Sequence, residues 1–292
     1  MKVNDLVRQM ELSGVMGAGS LAKAVDIFEA MIKDKDSKVF LGQAGAMVPG
    51  GMRQILIDMI DLKLIDVFVT TGATLTHDLV EALGFAHYIG SEHADDSKLH
   101  KQGFDRMYNS YMPNKAYEKL EDFIESIFNE LSKAKTIREF LSILGKHSPK
   151  NSILNACYNN NVPIFCPAIS DSGIGLMVWG QLVKNKNIDV NAFADLKEII
   201  DIAWASKKNG VFYIGGGTPK NYIQQAMQFS KGASYGVQIT TDRAEFGGSS
   251  GAPLKEGISW GKLDPKGRYV DVACDATIAL PIIFASVKDR LK

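Results

Sequence analysis

The residues of this 292-residue chain that are best placed for chemistry follow short apolar runs, and a run of glycines is the clearest case. Gly215, Gly216 and Gly217 stand between such a run and a helical pattern. Glycines at a strand-to-helix turn let the backbone approach a phosphate at the positive end of the helix. The turn does not have GxGxxG spacing, and the near match GAGSLA at 17–22 follows no strand. The sequence therefore predicts a phosphate-binding turn without the usual dinucleotide fingerprint.

Two aspartates and one histidine occupy similar turns. Asp171 and Asp275 could accept hydrogen bonds from a ribose or bind an amine, or they could cap a turn or helix, which the position of Asp275 before ATIALPII fits. His77 is a candidate for proton transfer, because imidazole titrates near neutral pH. The Gly-Ser-Ser-Gly segment at 248–251 lacks the strand–GxSxG–helix pattern of a serine nucleophile. The five histidines and three cysteines have no metal-ligand spacing, so no metal site is predicted.

Six apolar runs must position these residues. The runs are 38–41 (KVFL), 65–70 (IDVFVT), 163–166 (PIFC), 210–214 (GVFYI), 235–240 (YGVQIT) and 269–273 (YVDVA). Most are almost continuously apolar, which is typical of parallel strands covered on both faces. Helical patterns lie between them, at 21–33 with Ser20 as its cap, 117–134, 196–207, 223–229 and 276–291.

This alternation predicts a doubly wound, mostly parallel α/β sheet with helices on both faces, of Rossmann-like type. The charged region at about 87–152 shows no clear strand and is predicted to be a helical insertion in a single domain spanning 1–292. Ligands of such sheets bind beyond the carboxyl ends of the strands. All six runs end in small or polar residues, so the sequence predicts a ligand site at that edge.

Composition excludes several classes of protein. Lys plus Arg equals Asp plus Glu at 33 each, which argues against a nucleic-acid partner held by phosphate neutralisation. No apolar run approaches the roughly 18–20 residues that span a bilayer, and the first residues lack the pattern of a signal peptide. An odd count of three cysteines does not indicate a disulfide framework. We expect a soluble cytoplasmic protein with no membrane partner.

The segment SGAPLKEGISWGK at 250–262 resembles the active-site stretch of the deoxyhypusine synthase family. Other segments resemble that family in order and spacing. They are VFLGQAG, DVFVTTGATLTHDLVEAL, MPNKAYEKLEDF, VPIFCPAISDSGIG, IGGGTPKNYI, YGVQITTDRAEF and VDVACDATIALP. The resemblance extends from about residue 11 to the C-terminus. It implies a parallel nucleotide-binding sheet and a homotetramer with NAD bound near subunit interfaces.

The resemblance also implies a reaction. Family members use NAD to oxidise spermidine and carry its aminobutyl group, as an imine on the SWGK lysine, to a lysine of the hypusine-type translation factor. Bound NADH then reduces the product imine. The partners expected here are therefore a polyamine or a related amine and an acceptor lysine.

In this sequence the imine lysine is Lys262, and Glu256 matches the family's acidic polyamine contact. Trp260 would share a face with Lys262 on an extended segment and offer a cation–π surface to an alkylammonium. Burial against that ring would lower the pKa of Lys262 by desolvation, as imine chemistry requires. The residues that the resemblance assigns to NAD are Thr70, Thr71, Gly72, Asp171, Gly215, Gly216, Gly217, Thr241, Asp242, Cys274 and Asp275.

Several positions depart from the family pattern. Asn221 stands at the position of the family's catalytic histidine and cannot titrate, while Leu176 replaces an aspartate at the substrate site. Ser249 replaces another aspartate, a glutamate is lost near His77, and the early NAD loop reads AMVPGG. Because losing one partner of a buried charge pair costs about 2–5 kcal/mol, Leu176 indicates a substrate with fewer charges, a shifted pose or weak activity. His77 is the sequence's candidate for the missing proton transfer.

Three functions follow from these observations. The first is NAD-dependent aminobutyl transfer through Lys262 to a protein lysine. The second keeps this chemistry but uses a small diamine as acceptor, as in a homospermidine-type synthase. The third is a non-catalytic NAD-binding homologue, against which the presence of Lys262, Trp260 and Glu256 weighs.

Overall fold

The computed structural model describes residues 2–292 of the chain. Nine strands lie within these residues: β1 Ser37–Gln43, β2 Val67–Thr70, β3 Tyr88–Ile89, β4 Phe104–Met107, β5 Ser110–Pro113, β6 Ile164–Phe165, β7 Lys208–Ile214, β8 Ala233–Thr240 and β9 Leu263–Ala273. The same residues form the α-helices α1 Val3–Ser13, α2 Met16–Lys33, α3 Arg53–Asp61, α4 Gly72–Ala82, α5 Asp96–Gln102, α6 Lys115–Leu131, α7 Ile137–His147, α8 Ile153–Asn160, α9 Gly173–Val183, α10 Ala192–Ala205, α11 Gly217–Gln228 and α12 Ala276–Arg290.

Six strands form the main sheet, in the order β6-β2-β1-β7-β8-β9, and every pair is parallel. Numbered by chain order within this sheet, the sequence of strands is 3-2-1-4-5-6, which is the order of dinucleotide-binding sheets. The order reverses between β1 and β7, where Gln43 pairs with Ile214 at the carboxyl ends. Each predicted strand overlaps one of these six, so the predicted fold class is confirmed.

Each face of the sheet packs against its own hydrophobic core, which is shared with the helices on that face. Successive residues of β7 enter different hydrophobic cores. Phe212 lies in the core that contains Phe28 of α2, and Tyr213 lies in the core that contains Ile223 of α11. The Phe28 and Phe212 ring centroids are 4.6 Å apart. Because successive strand residues point to opposite faces and both faces are buried, the run GVFYI has no polar position.

The region at 87–152 departs from the prediction of a helical insertion without strands. Strands β3, β4 and β5 form a second, antiparallel sheet beside helices α5, α6 and α7. The β4 and β5 strands are joined by a two-residue turn in which Tyr108 has a φ of 55°. Residues of these strands are mostly half-buried and do not alternate apolar with polar, so the pattern that marks a strand is absent from the sequence.

The first long helix also begins earlier than predicted. Helix α2 begins at Met16, with Val15 at its N-cap, so Ser20 lies inside the helix and does not cap it. Gly19 packs directly on Gly14, where a Cβ atom would come within 2.5 Å of the Gly14 carbonyl carbon. None of the helices within residues 2–292 combines the length and apolar character needed to cross a bilayer.

Candidate active site

A cavity of about 400 Å³ lies between the start of α11 and the segment 247–262. Its lining includes Lys262, Trp260, Glu256 and Asn221, four residues that the sequence analysis singles out, together with Lys220. Lys220 and Asn221 lie on helix α11, which follows β7. The other three residues, Glu256, Trp260 and Lys262, lie on the segment that precedes β9. The fold thus brings together residues that are 35 to 42 positions apart in the sequence.

Lys262 and Trp260 are in contact, as predicted. The Lys262 Nζ atom lies 5.2 Å from the centroid of the Trp260 ring, within the range of a cation–π interaction. The predicted extended geometry is wrong, because the chain turns at Gly261, whose φ is 68°. The Gly257 carbonyl accepts hydrogen bonds from the backbone N–H groups of Trp260 and Lys262. Trp260 is 60% exposed in the single chain and Lys262 is half-buried, so the indole ring does not enclose the ammonium here.

Lys220 is a functional candidate that sequence reasoning missed. Its side chain is 2% exposed, and its Nζ atom donates hydrogen bonds to the carbonyl oxygens of Ser249 at 2.6 Å and Ala252 at 2.7 Å. Burial lowers the pKa of Lys220 to about 8, Asp271 and Glu256 oppose that shift, and the positive charge of Lys262 adds to it. The spacing GGG-x-x-K is visible in the sequence, but most lysines are exposed, so the burial could not be inferred.

The cavity therefore presents two lysines, one carboxylate and one amide. Glu256 and Asn221 are exposed at its edge, where a carboxylate can pair with an alkylammonium. A lysine amine can form an imine with a carbonyl carbon or exchange with an existing imine. The amide of Asn221 can donate and accept hydrogen bonds but cannot carry a proton between groups.

The glycine-rich turn lies at the point where the strand order reverses, and its residues fit a phosphate-bearing cofactor. Helix α11 has Gly216 at its N-cap and no side-chain cap, which leaves its first N–H groups available to an anion. Gly217 has a φ of 55° and open space where a Cβ atom would lie. At Gly216 a Cβ would come within 2.2 Å of the Ser250 Cα, so that glycine is needed for packing against the turn at 248–251.

The side chains at the carboxyl end of β2 and directly after it form hydrogen bonds within the protein. The Thr70 hydroxyl is buried and donates to Gln43 Oε1 at 2.8 Å, and Thr71 Oγ1 accepts the backbone N–H of Thr74 at the start of α4. At Gly72, a Cβ atom would lie 2.5 Å from the Ser172 Cβ. These side chains hold neighbouring strand ends together, and their remaining backbone groups are what a cofactor could contact.

The other residues assigned to NAD lie at further strand ends of the same edge. Asp242 accepts hydrogen bonds from Ser250 Oγ and from the Arg243 backbone, and the Ser250 hydroxyl holds the pKa of Asp242 below its usual value. Asp275 caps α12 by accepting the Thr277 N–H at 2.8 Å, which is the capping alternative that its position fitted. The remaining three are Asp171 (exposed), Thr241 (exposed) and Cys274 (half-buried). Within residues 2–292, no group of three His, Cys, Asp or Glu side chains is arranged to hold a metal ion.

Leu176 and His77 do not line the cavity that contains Lys262. Leu176 is 58% exposed on α9 and lines an apolar cavity of about 410 Å³ with Trp179 and Leu182. His77 lies on α4, where its ring contacts His87. One chain alone therefore does not bring these two residues to Lys262.

The order of the strands, the glycine-rich turn without a side-chain cap and the strand ends gathered at one edge define a Rossmann-like α/β fold. A family model described as deoxyhypusine synthase matches residues 5–287. "Probable deoxyhypusine synthase 1" of Methanosarcina acetivorans is 45% identical, covering 100% of this chain and 92% of the relative. The protein of the same name from Archaeoglobus fulgidus is 42% identical, covering 99% of this chain and 95% of the relative. The chain belongs to the deoxyhypusine synthase family.

Solved structures show the same fold. A crystal structure from Entamoeba histolytica described as a deoxyhypusine synthase aligns with a TM-score of 0.66 at 18% identity, covering 98% of this chain and 92% of that chain. A LOR/SDH protein of Methanococcus maripaludis S2 aligns with a TM-score of 0.55 at 14% identity, covering 99% of this chain and 68% of that chain. At 18% and 14% sequence identity, these alignments show a shared fold and nothing further.

Proposed function

We propose that this protein is an NAD-dependent transferase that moves an aminobutyl group from spermidine or a related amine to an acceptor amine. The observation that carries the proposal is the cavity in which Lys262, Trp260 and Glu256 lie together. An amine nucleophile, an aromatic cation surface and a carboxylate are the groups that an alkylammonium substrate of imine chemistry needs. Membership of the deoxyhypusine synthase family supports this choice over other uses of such a cavity.

Different side chains bind the substrate amine and transfer its aminobutyl group. Glu256 pairs with an ammonium group of the substrate, and the Trp260 ring contacts the alkylammonium from one side. The Lys262 Nζ attacks the imine carbon, forms a new carbon–nitrogen bond to that carbon and releases the amine that it replaces. The acceptor amine then displaces Lys262 in the same manner.

The cofactor proposed for the strand-end edge is NAD. The N–H groups of Gly217 and Thr218 would face its phosphates, and the exposed polar residues Asp171, Thr241 and Asp242 would hold its other parts. When bound there, NAD would supply the redox chemistry, namely hydride removal from the carbon beside the substrate nitrogen and hydride return to the product imine. The acceptor proposed first is a lysine of a hypusine-type translation factor, and we also propose the homotetramer that the family resemblance implies.

Trapping with borohydride tests this function. The protein is incubated with NAD and, separately, with spermidine, putrescine or agmatine, reduced, digested and mapped by mass spectrometry. We expect an aminobutyl adduct on Lys262 that requires NAD, is absent from Lys262→Arg and persists in Lys255→Arg, an exposed lysine of the same segment. Absence of an adduct with every amine, although NAD binds, would contradict transfer and support the non-catalytic alternative.

A second arm of the experiment identifies the acceptor. Without borohydride, the protein is incubated with NAD and spermidine labelled in its aminobutyl carbons, together with either a lysine-bearing translation factor or putrescine, and the products are separated. Labelled aminobutyl on the protein supports the first function. Labelled homospermidine alone supports the diamine acceptor, which the loss of charge at Leu176 and Ser249 favours.

A further inference from the structure

Lys220 is a buried lysine that the proposed mechanism leaves without a role. It lies on the first turn of α11, directly before Asn221, and lines the same cavity as Lys262. Its side chain is 2% exposed, whereas an unpaired ammonium group is seldom buried so completely. Such a group requires either a structural reason or a chemical one.

The hydrogen bonds of Lys220 define what its nitrogen can do. Two of its hydrogens are directed at the carbonyl oxygens of Ser249 and Ala252, at 2.6 and 2.7 Å. These two bonds persist whether the nitrogen is an ammonium or a neutral amine, because both forms have at least two N–H groups. The remaining position holds a third hydrogen in the ammonium and a lone pair in the amine. That position alone changes when Lys220 exchanges a proton.

We propose that Lys220 is the proton-transfer residue of this cavity and does the work that Asn221 cannot do. The proposal rests on the proposed imine exchange at Lys262. Its geometric basis is the shared cavity, the fixed pair of carbonyl bonds and the single free position on the nitrogen.

The proton balance of the exchange step requires such a residue. Lys262 Nζ bonds to the imine carbon while the bond from that carbon to the departing amine breaks. Lys262 must lose a proton, leaving its electron pair on nitrogen, and the departing amine must gain one. Neutral Lys220 accepts the first proton and, as an ammonium, donates it to the departing amine. The exchange needs no oxidant or reductant.

The surroundings of Lys220 suit this role. Desolvation lowers its pKa to about 8, the charge of Lys262 acts in the same direction, and the carboxylates of Asp271 and Glu256 act against it. Transfer is most effective when the pKa of the group is near the working pH, and lysines used in this way are shifted to about 7–8 by burial. His77 has no comparable position, because it does not line the cavity.

Two substitutions separate proton transfer from the fastening of the turn at 249–252. Lys220→Arg keeps N–H donors and positive charge but cannot deprotonate. Lys220→Met removes both donors and charge. Lys255→Arg, on an exposed lysine nearby, is the matched control. For each protein, the rate of Lys262 adduct formation is measured from pH 6.5 to 9.5 at saturating NAD and amine, and NAD binding and thermal unfolding are recorded.

The expected result is a wild-type rate that rises through an inflection near pH 8. In Lys220→Arg the inflection disappears and the rate falls by at least about 100-fold, the size of a lost general base. NAD binding is kept and Lys255→Arg matches the wild type. A Lys220→Arg protein that keeps the wild-type rate and inflection overturns the inference and leaves Lys220 as a purely structural clamp. If the wild type itself forms no adduct, the proposed function fails first, which is a separate result.

Discussion

His77 and His87 share a hydrogen bond, with 3.0 Å between His77 Nδ1 and His87 Nε2. The other ring nitrogen of His87 lies 2.7 Å from Glu81 Oε1. Since a carboxylate only accepts, His87 Nδ1 donates to Glu81, which leaves His87 Nε2 facing His77 Nδ1. A turn at Gly84, whose φ is 97°, returns the chain so that His87 meets both α4 side chains. The two imidazole rings are thereby held against each other.

This pairing makes stability depend on pH. Burial, followed by the charge of His87, lowers the pKa of His77 to about 4, although Glu81 acts in the opposite direction. The unfolded chain binds a proton near its ordinary value of 6.5, so the free energy of unfolding rises with pH between about 4 and 6.5. The stability contributed is complete above pH 6.5 and is lost as pH falls through 4. Over this range His77 accounts for about 3 kcal/mol.

Urea unfolding at a series of pH values measures this dependence. His77→Gln is expected to flatten the slope between pH 4 and 6.5 relative to the wild type. His100→Gln, at an exposed histidine of α5, is the control and should leave the slope unchanged. Equal slopes in the wild type and His77→Gln would contradict the lowered pKa.

Arg53 and Asp78 form an ion pair whose loss should destabilise the fold. Arg53 Nε donates to Asp78 Oδ1 at 2.8 Å, and Asp78, fully buried, also accepts the N–H groups of Ile153 and Leu154 at the start of α8. Arg53→Met leaves the carboxylate buried without its cation and is expected to cost about 3–5 kcal/mol in the free energy of unfolding. Lys197→Met, which breaks an exposed pair with Asp201, should change it little. Chemical denaturation of both variants decides the matter, and similar losses would argue against a special role for the buried pair.

Trp260 should contribute to binding the amine. Trp260→Ala removes the aromatic face beside Lys262, and a cation–π contact at an exposed site is worth about 0.5–1 kcal/mol. We expect the KM for the amine to rise severalfold in Trp260→Ala and less in Trp260→Phe, which keeps a ring. Trp204→Ala, at an exposed tryptophan of α10, is the control and should not alter KM. An unchanged KM in Trp260→Ala would place the substrate elsewhere in the cavity.

An imidazole at position 221 should substitute for the amine of Lys220. Asn221 is exposed at the cavity edge, so a histidine can be accommodated there without filling the core. In a Lys220→Met background, Asn221→His is expected to recover part of the lost adduct rate, with a new inflection near the ordinary histidine pKa of about 6.5. Asn221→Gln in the same background tests size without titration and should recover nothing. Recovery by both substitutions would mean that side-chain volume is what matters.

The sequence predicted most of the fold because its strongest signals are local. The run at 210–214 is apolar at each non-glycine position since Phe212 and Tyr213 enter cores on opposite faces. The strands at 104–113 gave no such signal, because their residues are half-buried and their pairing depends on the turn at Tyr108.

The candidate site was predictable where residue type alone identified it, as for Lys262 and Glu256. The sequence predicts the contact of Trp260 with Lys262 but assigns an extended backbone, because no local pattern shows that Gly261 takes a positive φ. The burial of Lys220 depends on carbonyl groups 29 and 32 positions away, and the partner of His77 depends on the turn at Gly84 that returns the chain. Such contacts become visible only when the chain is folded.

The turn at 248–251 is held from three directions. Gly216 packs against the Ser250 backbone, Asp242 accepts the Ser250 hydroxyl, and Lys220 binds the Ser249 carbonyl. These anchors come from the end of β7, the end of β8 and the first turn of α11. Because the three anchors come from different elements, we expect this wall of the candidate cavity to be rigid. We therefore expect the position of the turn beside Lys220 and Lys262 to depend on the integrity of the sheet edge.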